Sequence, residues 1–460
     1  MKRTTALILT FMLLASLTLA GCSKQGQAPA ANSGAATSSA DSKKPNINIE
    51  VSPKLIGNPD AKIEITWQPC PSHSFTDSNK AKVDYLTAKA KAWAEKHTDV
   101  KILPIDTTIN INDSMAKILV QASEGRAPDV AAIDSYIFPN FAKYAQPLDD
   151  VLKEKGLSID DWFPYAQKVM KPADKVLALW YTTDVRILYY RKDLIKNPPK
   201  TTDELIEIGK QMKQQGYDGY LFPAGRNESL TNNNLPFLWS QGGELVDDKG
   251  KPVFGEGKNK EAMLNWFKFH KSLIDSGVTP GRVVNMLNDA ALNPEIASGK
   301  TAMFLGTNSS ATNMKQILGD KFDQLWGIAP IPTMKDGGAR TTSAGGWTTA
   351  VFTKDDQKRK LAIDFIISLY VDDKAMEEFG RAGGYLPVRM SVYDKSEFFK
   401  SDPNNKRFKE ELAYGRVRPA AEAYPVISQE IQIAISNIIT GSATPEKALD
   451  EAWNNVINKK

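Results

Sequence analysis

Cysteine and histidine are scarce in this sequence, which contains only Cys22, Cys70 and three histidines. Neither an HExxH motif nor a Cys/His cluster occurs, so a transition-metal site of the usual kind is not expected. An excess of one charge is also lacking, since 58 Lys and Arg residues stand against 54 Asp and Glu residues. This near balance gives no support for a nucleic-acid or other polyanionic partner.

Long hydrophobic runs are absent except at the N-terminus. Two basic residues precede an uncharged, mostly apolar run over residues 4–20, and small residues lead from this run to Cys22. A basic start, a short apolar run and small residues at a cleavage point predict a secretory signal peptide over residues 1–21. The run is close to the ~20 residues that span a bilayer, so a retained anchor helix is the alternative.

The sequence Leu19-Ala20-Gly21-Cys22 resembles the lipobox of bacterial lipoproteins. The resemblance implies that the chain is cut before Cys22 and that this cysteine is diacylated on sulfur. More than one acyl chain, at ~0.8 kcal/mol per buried methylene, holds a protein stably on a membrane. We therefore expect a lipid-anchored protein at the extracellular face of the cell membrane. Cys70 is then alone, which excludes an intrachain disulfide.

Residues 22–46 are mostly Ala, Ser, Gly, Gln and Lys, a composition that predicts a flexible linker. The remaining stretch, about 415 residues, is long enough for two lobes with a sizeable core. The 42% hydrophobic and 24% charged fractions of the whole chain are those of a globular protein.

The pattern after the linker predicts strands that alternate with helices. Expected strands lie at residues 62–67, 100–104 and 127–134, and expected helices at about 77–97 and 112–124, the first capped by Asp77 or Ser78. This β-α-β-α-β order is typical of a parallel sheet with helices on its faces. Ligands bind at the carboxyl ends of such strands. The loops at 68–76 and 134–136 are therefore candidate binding loops.

Beyond residue 150 we expect strands at 176–180 and 187–190, separated by residues 181–186, with further strands at 300–305, 325–330 and 346–352. From residue 355 onward the pattern is mostly helical. This order predicts an α/β protein with two discontinuous lobes, a chain that crosses the hinge between them and a helical C-terminal tail. The N-terminal lobe is predicted at 47–155 and 326–372, and the C-terminal lobe at 156–325 and 373–460. A cleft between the lobes is the natural place for a ligand.

Short motifs along nearly all of residues 47–460 resemble, in order, family 1 extracellular solute-binding proteins of ABC sugar importers, the group that includes maltose-binding protein. They are GRAPDV (125–130), LYYRKDL (188–194), PKTTDEL (199–205), LWSQGGEL (238–245), SGKTAM (298–303), GIAPIP (327–332), GGW (345–347), GYLPVR (384–389) and ITGSATP (439–445).

This resemblance implies a two-lobe clamshell of the type II periplasmic-binding-protein class. It implies a monomer without catalysis or cofactor that captures a carbohydrate, an oligosaccharide in particular, and delivers it to an ABC importer permease. The lobes of such proteins close on the ligand by hinge bending. A secreted glycosidase would need two acidic residues across a cleft, and no motif singles out such a pair. The alternatives are an accessory or sensory lipoprotein on the same fold, or a non-sugar solute.

Candidate ligand residues follow from sugar chemistry and the resemblance, because aromatic rings stack on sugar faces while polar side chains pair with hydroxyls. The candidates are Gln68, Asp134, Tyr181, Arg226, Glu228, Asn308, Trp347, Tyr385, Arg389 and Tyr424, and Arg418 lies in a segment that borders the cleft in relatives. Trp347 is the leading stacking candidate, with a core tryptophan as the alternative. For Asp134 the alternative is a helix N-cap.

Two features depart from the family pattern. Relatives often carry an aromatic residue after the glycine of the strand at 302–306, where this chain has Thr307, Asn308 and Ser309. The resemblance therefore implies that one stacking platform is missing, which puts a long glucan-like ligand in doubt. The loop that contains Cys70 and His73 is also unusual for its place, and we expect these two residues to be incidental rather than a reactive pair.

Overall fold

A computed structural model describes residues 48–106 and 111–458, the side chains of 111 and 112 excepted. The predicted signal peptide, the lipobox at Cys22 and the predicted linker up to residue 46 lie outside the described residues. The described residues belong to one compact unit.

The described chain contains both strands and helices. The strands are β1 (Glu50–Val51), β2 (Ile56–Gly57), β3 (Ile63–Gln68), β4 (Val100–Pro104), β5 (Val130–Asp134), β6 (Leu179–Arg191), β7 (Met303–Thr307), β8 (Trp326–Ala329), β9 (Thr342–Val351) and β10 (Gly415–Arg416). The helices are α1 (Lys80–Ala94), α2 (Ile111–Ser123), α3 (Asp149–Glu154), α4 (Pro164–Met170), α5 (Thr202–Gln214), α6 (Glu228–Trp239), α7 (Gly257–Asp275), α8 (Asn293–Ala297), α9 (Asn308–Leu318), α10 (Lys321–Leu325), α11 (Asp356–Ile366), α12 (Asp373–Gly383), α13 (Met390–Lys395), α14 (Glu397–Ser401), α15 (Pro403–Leu412), α16 (Tyr424–Ile439) and α17 (Pro445–Asn458).

The predicted parallel β-α-β-α-β unit is confirmed, because β3 pairs in parallel with both β4 and β5. Helix α1 follows β3 and buries Leu86, Ala90 and Trp93, which the helical period places on one face. The predicted caps of this helix are wrong, since the side chain of Asn79 accepts the first backbone N–H groups. The carboxylate of Asp77 instead accepts a hydrogen bond from Lys82 Nζ at 2.8 Å.

The two strands predicted around residues 181–186 are one continuous strand, β6. The first half of β6 pairs with β9 in antiparallel register, with an irregularity between Trp180 and Thr182. The second half of β6 pairs with β7 and β8. Polar residues inside this strand suggested a break, but the structure gives them partners; for example, Thr183 Oγ1 donates to Gly345 O at 2.9 Å.

The sheet order is β1-β2-β4-β3-β5-β9-β6-β7, with β8 on β6 and β10 on β9. Strand β9 therefore connects the parallel strands of the N-terminal part to β6, and β6 continues to β7. The helical C-terminal tail predicted from the sequence is present as α11 to α17. The lobe boundaries stay a prediction. Strand β8, from the predicted N-terminal lobe, pairs with β6 of the predicted C-terminal lobe. Helix α12, from the predicted C-terminal lobe, packs against α1 of the predicted N-terminal lobe. Within the described ranges, no helix combines the length and apolar character required to cross a bilayer.

Gly346 lies where β9 pairs with β6, and a substitution at this position tests whether the pairing of the two strands requires a glycine. Its φ is +139°, and an added Cβ would lie 1.9 Å from Thr182 O. We expect Gly346→Ala to lower the free energy of unfolding by about 3 kcal/mol or more, measured by urea unfolding, because strain and a backbone clash add. Gly441→Ala is the control: φ is +74° there, but nothing lies within 4 Å. This control should cost only about 1–2 kcal/mol. Equal losses in the two variants would contradict the prediction.

Candidate functional site

The end of β5 meets the centre of β9, and this junction brings a carboxylate beside an aromatic ring. Asp134 is the last residue of β5 and lies opposite Trp347 in the antiparallel ladder. The Asp134 side chain is 14% exposed, and Trp347 is half-buried. The junction lies at the carboxyl end of the parallel strands, where the sequence predicted a binding loop.

Arg418 connects this junction to α6. Its Nη2 lies 3.2 Å from Asp134 Oδ1, and its Nη1 lies 3.1 Å from Glu228 Oε1. The guanidinium also lies 4.1 Å from the centre of the Tyr136 ring, within the range of a cation–π contact. Strand β10, two residues before Arg418, pairs with β9 and so places the arginine here.

Glu228 begins α6, where the partial positive charge of the helix N-terminus favours a carboxylate. Tyr424 Oη donates a hydrogen bond to its Oε1 at 2.5 Å, and Ser428 Oγ donates to its Oε2 at 2.5 Å. The Glu228 side chain is still 37% exposed. The carboxylate is therefore fixed in direction but accessible from solvent. We call Asp134, Tyr136, Glu228, Arg418 and Tyr424 the Arg418 cluster.

A second polar group lies on β6 next to β9. Asp184 and Arg186 are two residues apart and so share one face of the strand, where Arg186 Nη1 donates to Asp184. The Asp184 carboxylate also accepts the backbone N–H of Gly345 at 2.8 Å. Arg186 Nε donates to Asn233 at 3.1 Å, and Asn233 in turn donates to Asp289 at 2.9 Å. We call Asp184, Arg186, Asn233 and Asp289 the Asp184 cluster.

The two clusters influence each other electrostatically. Burial raises the pKa of Asp134, Arg418 partly opposes this, and Asp184 and Glu228 raise the pKa further. Burial also raises the pKa of Asp289, with Arg186 opposing and Asp184 adding to the rise. Burial alone would lower the pKa of Arg418, but Asp134 and Glu228 more than offset it, so the pKa is raised. Each cluster thus contains carboxylates that disfavour one another's ionisation and a guanidinium that opposes this effect.

The loop at residues 68–76 brings His73 into a group of aromatic side chains beside this region. His73 Nδ1 lies 3.0 Å from Tyr181 Oη, and its ring centre lies 6.0 Å from that of Trp347 and 4.7 Å from that of Tyr385. Burial lowers the pKa of His73 well below its usual value, and Lys82 lowers it further. Burial raises the pKa of Cys70 to about 12, so its thiol stays protonated at neutral pH.

The structure brings four of the sequence-predicted residues together, namely Asp134, Glu228, Trp347 and Tyr424. Three others have buried side chains with protein partners elsewhere. Gln68 donates to Ser114 Oγ at 3.2 Å, Tyr181 pairs with His73, and Arg389 donates to Asp161 at 2.8 Å. A ligand contact for these three stays a prediction that the present geometry does not support.

Asn308 and Tyr385 line a separate cavity of about 390 Å³ that also includes Lys315 and Arg381. Asn308 is buried, accepts from Val185 N at 3.1 Å and donates to Gly384 O at 2.9 Å, so it fastens α9 to β6. Arg226 is exposed and has no side-chain partner within the described part of the chain.

Sequence reasoning did not single out Tyr136, Asp184, Arg186, Asn233 or Asp289 as site residues. A signal was present for the pair on β6, because two charged residues at i and i+2 stand in the middle of a strand that is rich in apolar residues. Three consecutive asparagines at 232–234 in α6 are buried, which is unusual for this residue type. Among the described residues, no group of three or more His, Cys, Asp or Glu side chains is arranged to hold a metal ion.

Comparison with known proteins gives a family match and distant relatives. A family model described as bacterial extracellular solute-binding protein matches residues 88–407. A protein of Sinorhizobium fredii named as a probable amino-acid ABC transporter periplasmic-binding protein is 24% identical over 374 residues, which are 76% of this chain and 80% of the relative. A probable ABC transporter-binding protein of Deinococcus radiodurans is 25% identical over 382 residues, 78% of this chain and 86% of the relative.

Two solved structures with similar folds are both sugar-binding proteins by name. The cyclic alpha-maltosyl-1,6-maltose binding protein of Arthrobacter globiformis is 23% identical with a TM-score of 0.66, covering 86% of this chain and 98% of that one. The sugar-binding protein MalE of Xanthomonas citri is 19% identical with a TM-score of 0.69, covering 85% and 96%. These similarities confirm the periplasmic-binding-protein fold predicted from the sequence.

The buried His73 predicts a specific pH dependence of stability. Its folded pKa is lowered from the usual 6.5, so the native state resists protonation while the unfolded state accepts it. The stability from this group is therefore present above about pH 6.5 and lost as pH falls, by up to about 1.4 kcal/mol per pH unit. We expect His73→Gln to lose less stability than the parent chain between about pH 7 and 5 in urea unfolding. His270, whose pKa burial lowers to about 4, contributes equally in both proteins. Identical pH slopes would contradict the prediction.

Proposed function

The chain belongs to the family of bacterial extracellular solute-binding proteins of ABC transporters. From this premise we propose that it captures a carbohydrate, an oligosaccharide in particular, beside Trp347 and between the Arg418 and Asp184 clusters. It then delivers this ligand to the permease of an ABC importer.

The observation that carries this proposal is a half-buried tryptophan beside accessible carboxylates. Trp347 lies opposite Asp134 on one side and Thr182 on the other. Asp184 and Glu228 are each 37% exposed, while Arg186 and Arg418 hold their carboxylates in place. A sugar ring presents a flat apolar face for stacking and a rim of hydroxyls that donate hydrogen bonds to carboxylates. This combination supports a carbohydrate as the ligand.

The origin of the contacts supports closure around the ligand. Asp134 comes from the N-terminal parallel strands, whereas Glu228 comes from α6 in the middle of the chain. Arg418 already joins the two carboxylates in this conformation. A ligand that contacts both would stabilise this conformation further, because a ligand shifts a conformational equilibrium by its difference in affinity. Hinge closure of this kind is known for binding proteins of this class.

An amino acid is the second candidate ligand, because the Sinorhizobium relative is named as a probable amino-acid transporter component. Neighbouring carboxylates and guanidiniums suit both ends of an amino acid. The half-buried Trp347, however, offers a flat surface that a small amino acid does not require. An accessory or sensory role on the same fold is distinguished by the absence of ligand binding.

We further propose that the protein acts as a monomer at the extracellular face of the cell membrane, with lipid on Cys22. The support is the lipobox-like sequence ending at this cysteine and the polar linker that follows it. Two acyl chains would retain the protein on the membrane beside its permease.

Thermal unfolding in the presence of saccharides tests ligand capture. A ligand at a hundredfold excess over its Kd stabilises the native state by about 2.7 kcal/mol. We expect a clear rise in Tm with one saccharide class across a panel of mono- and oligosaccharides. Trp347→Ala should weaken binding at least about tenfold by removal of the stacking surface.

Trp453→Ala is the control, because this half-buried tryptophan of α17 packs on Phe254 with ring centres 5.1 Å apart. It should lower Tm without changing the shift caused by the saccharide. A saccharide that shifts Trp347→Ala as much as the parent chain would place the site elsewhere. A panel of amino acids that shifts Tm when saccharides do not would favour the second candidate.

Lipid attachment is tested at the only two cysteines of the chain. We expect Cys22→Ser to abolish incorporation of labelled palmitate, since the acyl chains are attached at this cysteine. Cys70→Ser should keep both the label and the membrane association, because Cys70 is buried. Label on Cys22→Ser protein would refute lipid attachment at Cys22. A parent chain that stays in the membrane fraction without any label would refute the lipoprotein assignment and favour a retained anchor helix.

A further inference from the structure

The charges around Trp347 do not balance. The two clusters together contain four carboxylates, Asp134, Asp184, Glu228 and Asp289, but only two guanidiniums, Arg186 and Arg418. The formal charge of the site is therefore negative when all six groups are ionised. It stays negative even when Arg226, which is exposed and two residues before Glu228, is counted with them.

The two guanidiniums are already used within the protein. Arg418 is shared between Asp134 and Glu228, and Arg186 is shared between Asp184 and Asn233. Both arginine side chains are only 9% exposed. The surface that a ligand meets is thus formed by the more exposed carboxylates of Asp184 and Glu228. These carboxylates are hydrogen-bond acceptors, and their electrostatic interaction with a ligand becomes stronger when water is excluded.

Two buried polar atoms in this region lack a partner among the described residues. They are Nε of Arg418, whose side chain is in the cluster itself, and Oγ of Ser135, the residue after Asp134. Ser135 is fully buried. A buried donor without a partner is costly, so each such group calls for a hydrogen-bonding counterpart. Both atoms are closed off from solvent, so they do not belong to the surface that a ligand meets. That surface contains the carboxylates of Asp184 and Glu228, which require hydrogen-bond donors, and charged donors form the strongest such bonds.

We propose that the ligand is a saccharide that carries a protonated amine, an amino sugar, with the amine held by Asp184 and Glu228. This inference rests on the proposed function and narrows its ligand class. A neutral sugar would bury the surplus carboxylates under a group that cannot compensate their charge, which is unfavourable in a water-excluded site. An ammonium group compensates the charge of the accessible carboxylates, and it donates the hydrogen bonds that they accept.

Sugars that differ at one position test the proposal. Glucosamine, galactosamine and mannosamine are compared by calorimetry with their N-acetyl forms and their parent hexoses, as monomers and as β-1,4-linked dimers of glucosamine, N-acetylglucosamine and glucose. The measurement is made at about pH 6, where a primary amine is protonated. We expect at least one free amino sugar to bind about tenfold or more tightly than both of its neutral counterparts. Added salt should weaken the binding of the amino sugar but not the binding of the neutral sugars.

A matched pair of variants locates the charge. Asp184→Asn keeps the shape of the side chain and removes its charge, so the affinity ratio between the free amine and the parent hexose should fall several-fold. Asp193→Asn is the control, since Asp193 is also 37% exposed and also pairs with an arginine two residues away, Arg191. It lies nine residues further along the chain, about 30 Å away if extended. Its ratio should equal that of the parent chain. The ratio within one protein does not depend on how stable that variant is.

Each outcome decides between the two levels of the account. Neutral or acetylated sugars that bind as tightly as the amines overturn the amino-sugar inference but leave carbohydrate capture intact. An unchanged ratio in Asp184→Asn, or an equal fall in Asp193→Asn, also overturns the inference. No response to any saccharide of this panel or of the broad panel overturns the proposed function itself.

Discussion

The pairing of β9 with β6 is the constraint on which the rest of the site depends. At Gly345 the backbone of β9 comes close enough for its N–H to reach the Asp184 carboxylate at 2.8 Å. At Gly346 the approach is closer still, because an added Cβ would meet Thr182 O. The next residue, Trp347, is thereby fixed opposite both Asp134 and Thr182. The pairing of β9 with β6 thus fixes the positions of the Trp347 ring and of the Asp134 and Asp184 carboxylates relative to one another.

Arg418 shows how a buried charge can organise residues that are far apart in sequence. Removing one partner of a buried ion pair usually costs more than the pair contributes, because the remaining charge is left uncompensated. Arg418 therefore constrains Asp134 and Glu228 to stay near each other in the native state. The same constraint leaves Asp184 and Glu228 as the accessible acids, which makes the site receptive to hydrogen-bond donors.

Much of the fold follows from local pattern, whereas the site follows from long-range pairing. The parallel β3-β4-β5 unit and the helical tail were predictable from periodicity. A short motif points to Trp347, whose contact with a ligand stays a prediction. The segment 181–186 was predicted to separate two strands, but it lies inside β6. The polar groups of Asp184 and Arg186 in this segment have partners on β9 and α6, which make it compatible with one strand. Tyr181 shows the opposite limit. An aromatic residue at a plausible place was expected to face a ligand, but the unusual first loop brings His73 onto its hydroxyl, a contact over 108 residues that no local pattern predicts.

The central claim is that the ligand lies on Trp347 between Asp184 and Glu228. A crystal structure of the protein with its tightest-binding saccharide tests this claim most directly. We expect a sugar ring stacked on Trp347, with at least one of its polar groups within hydrogen-bond distance of Asp184 or Glu228. A sugar found instead in the separate cavity lined by Asn308 and Tyr385, with Trp347 uncovered, would contradict the account.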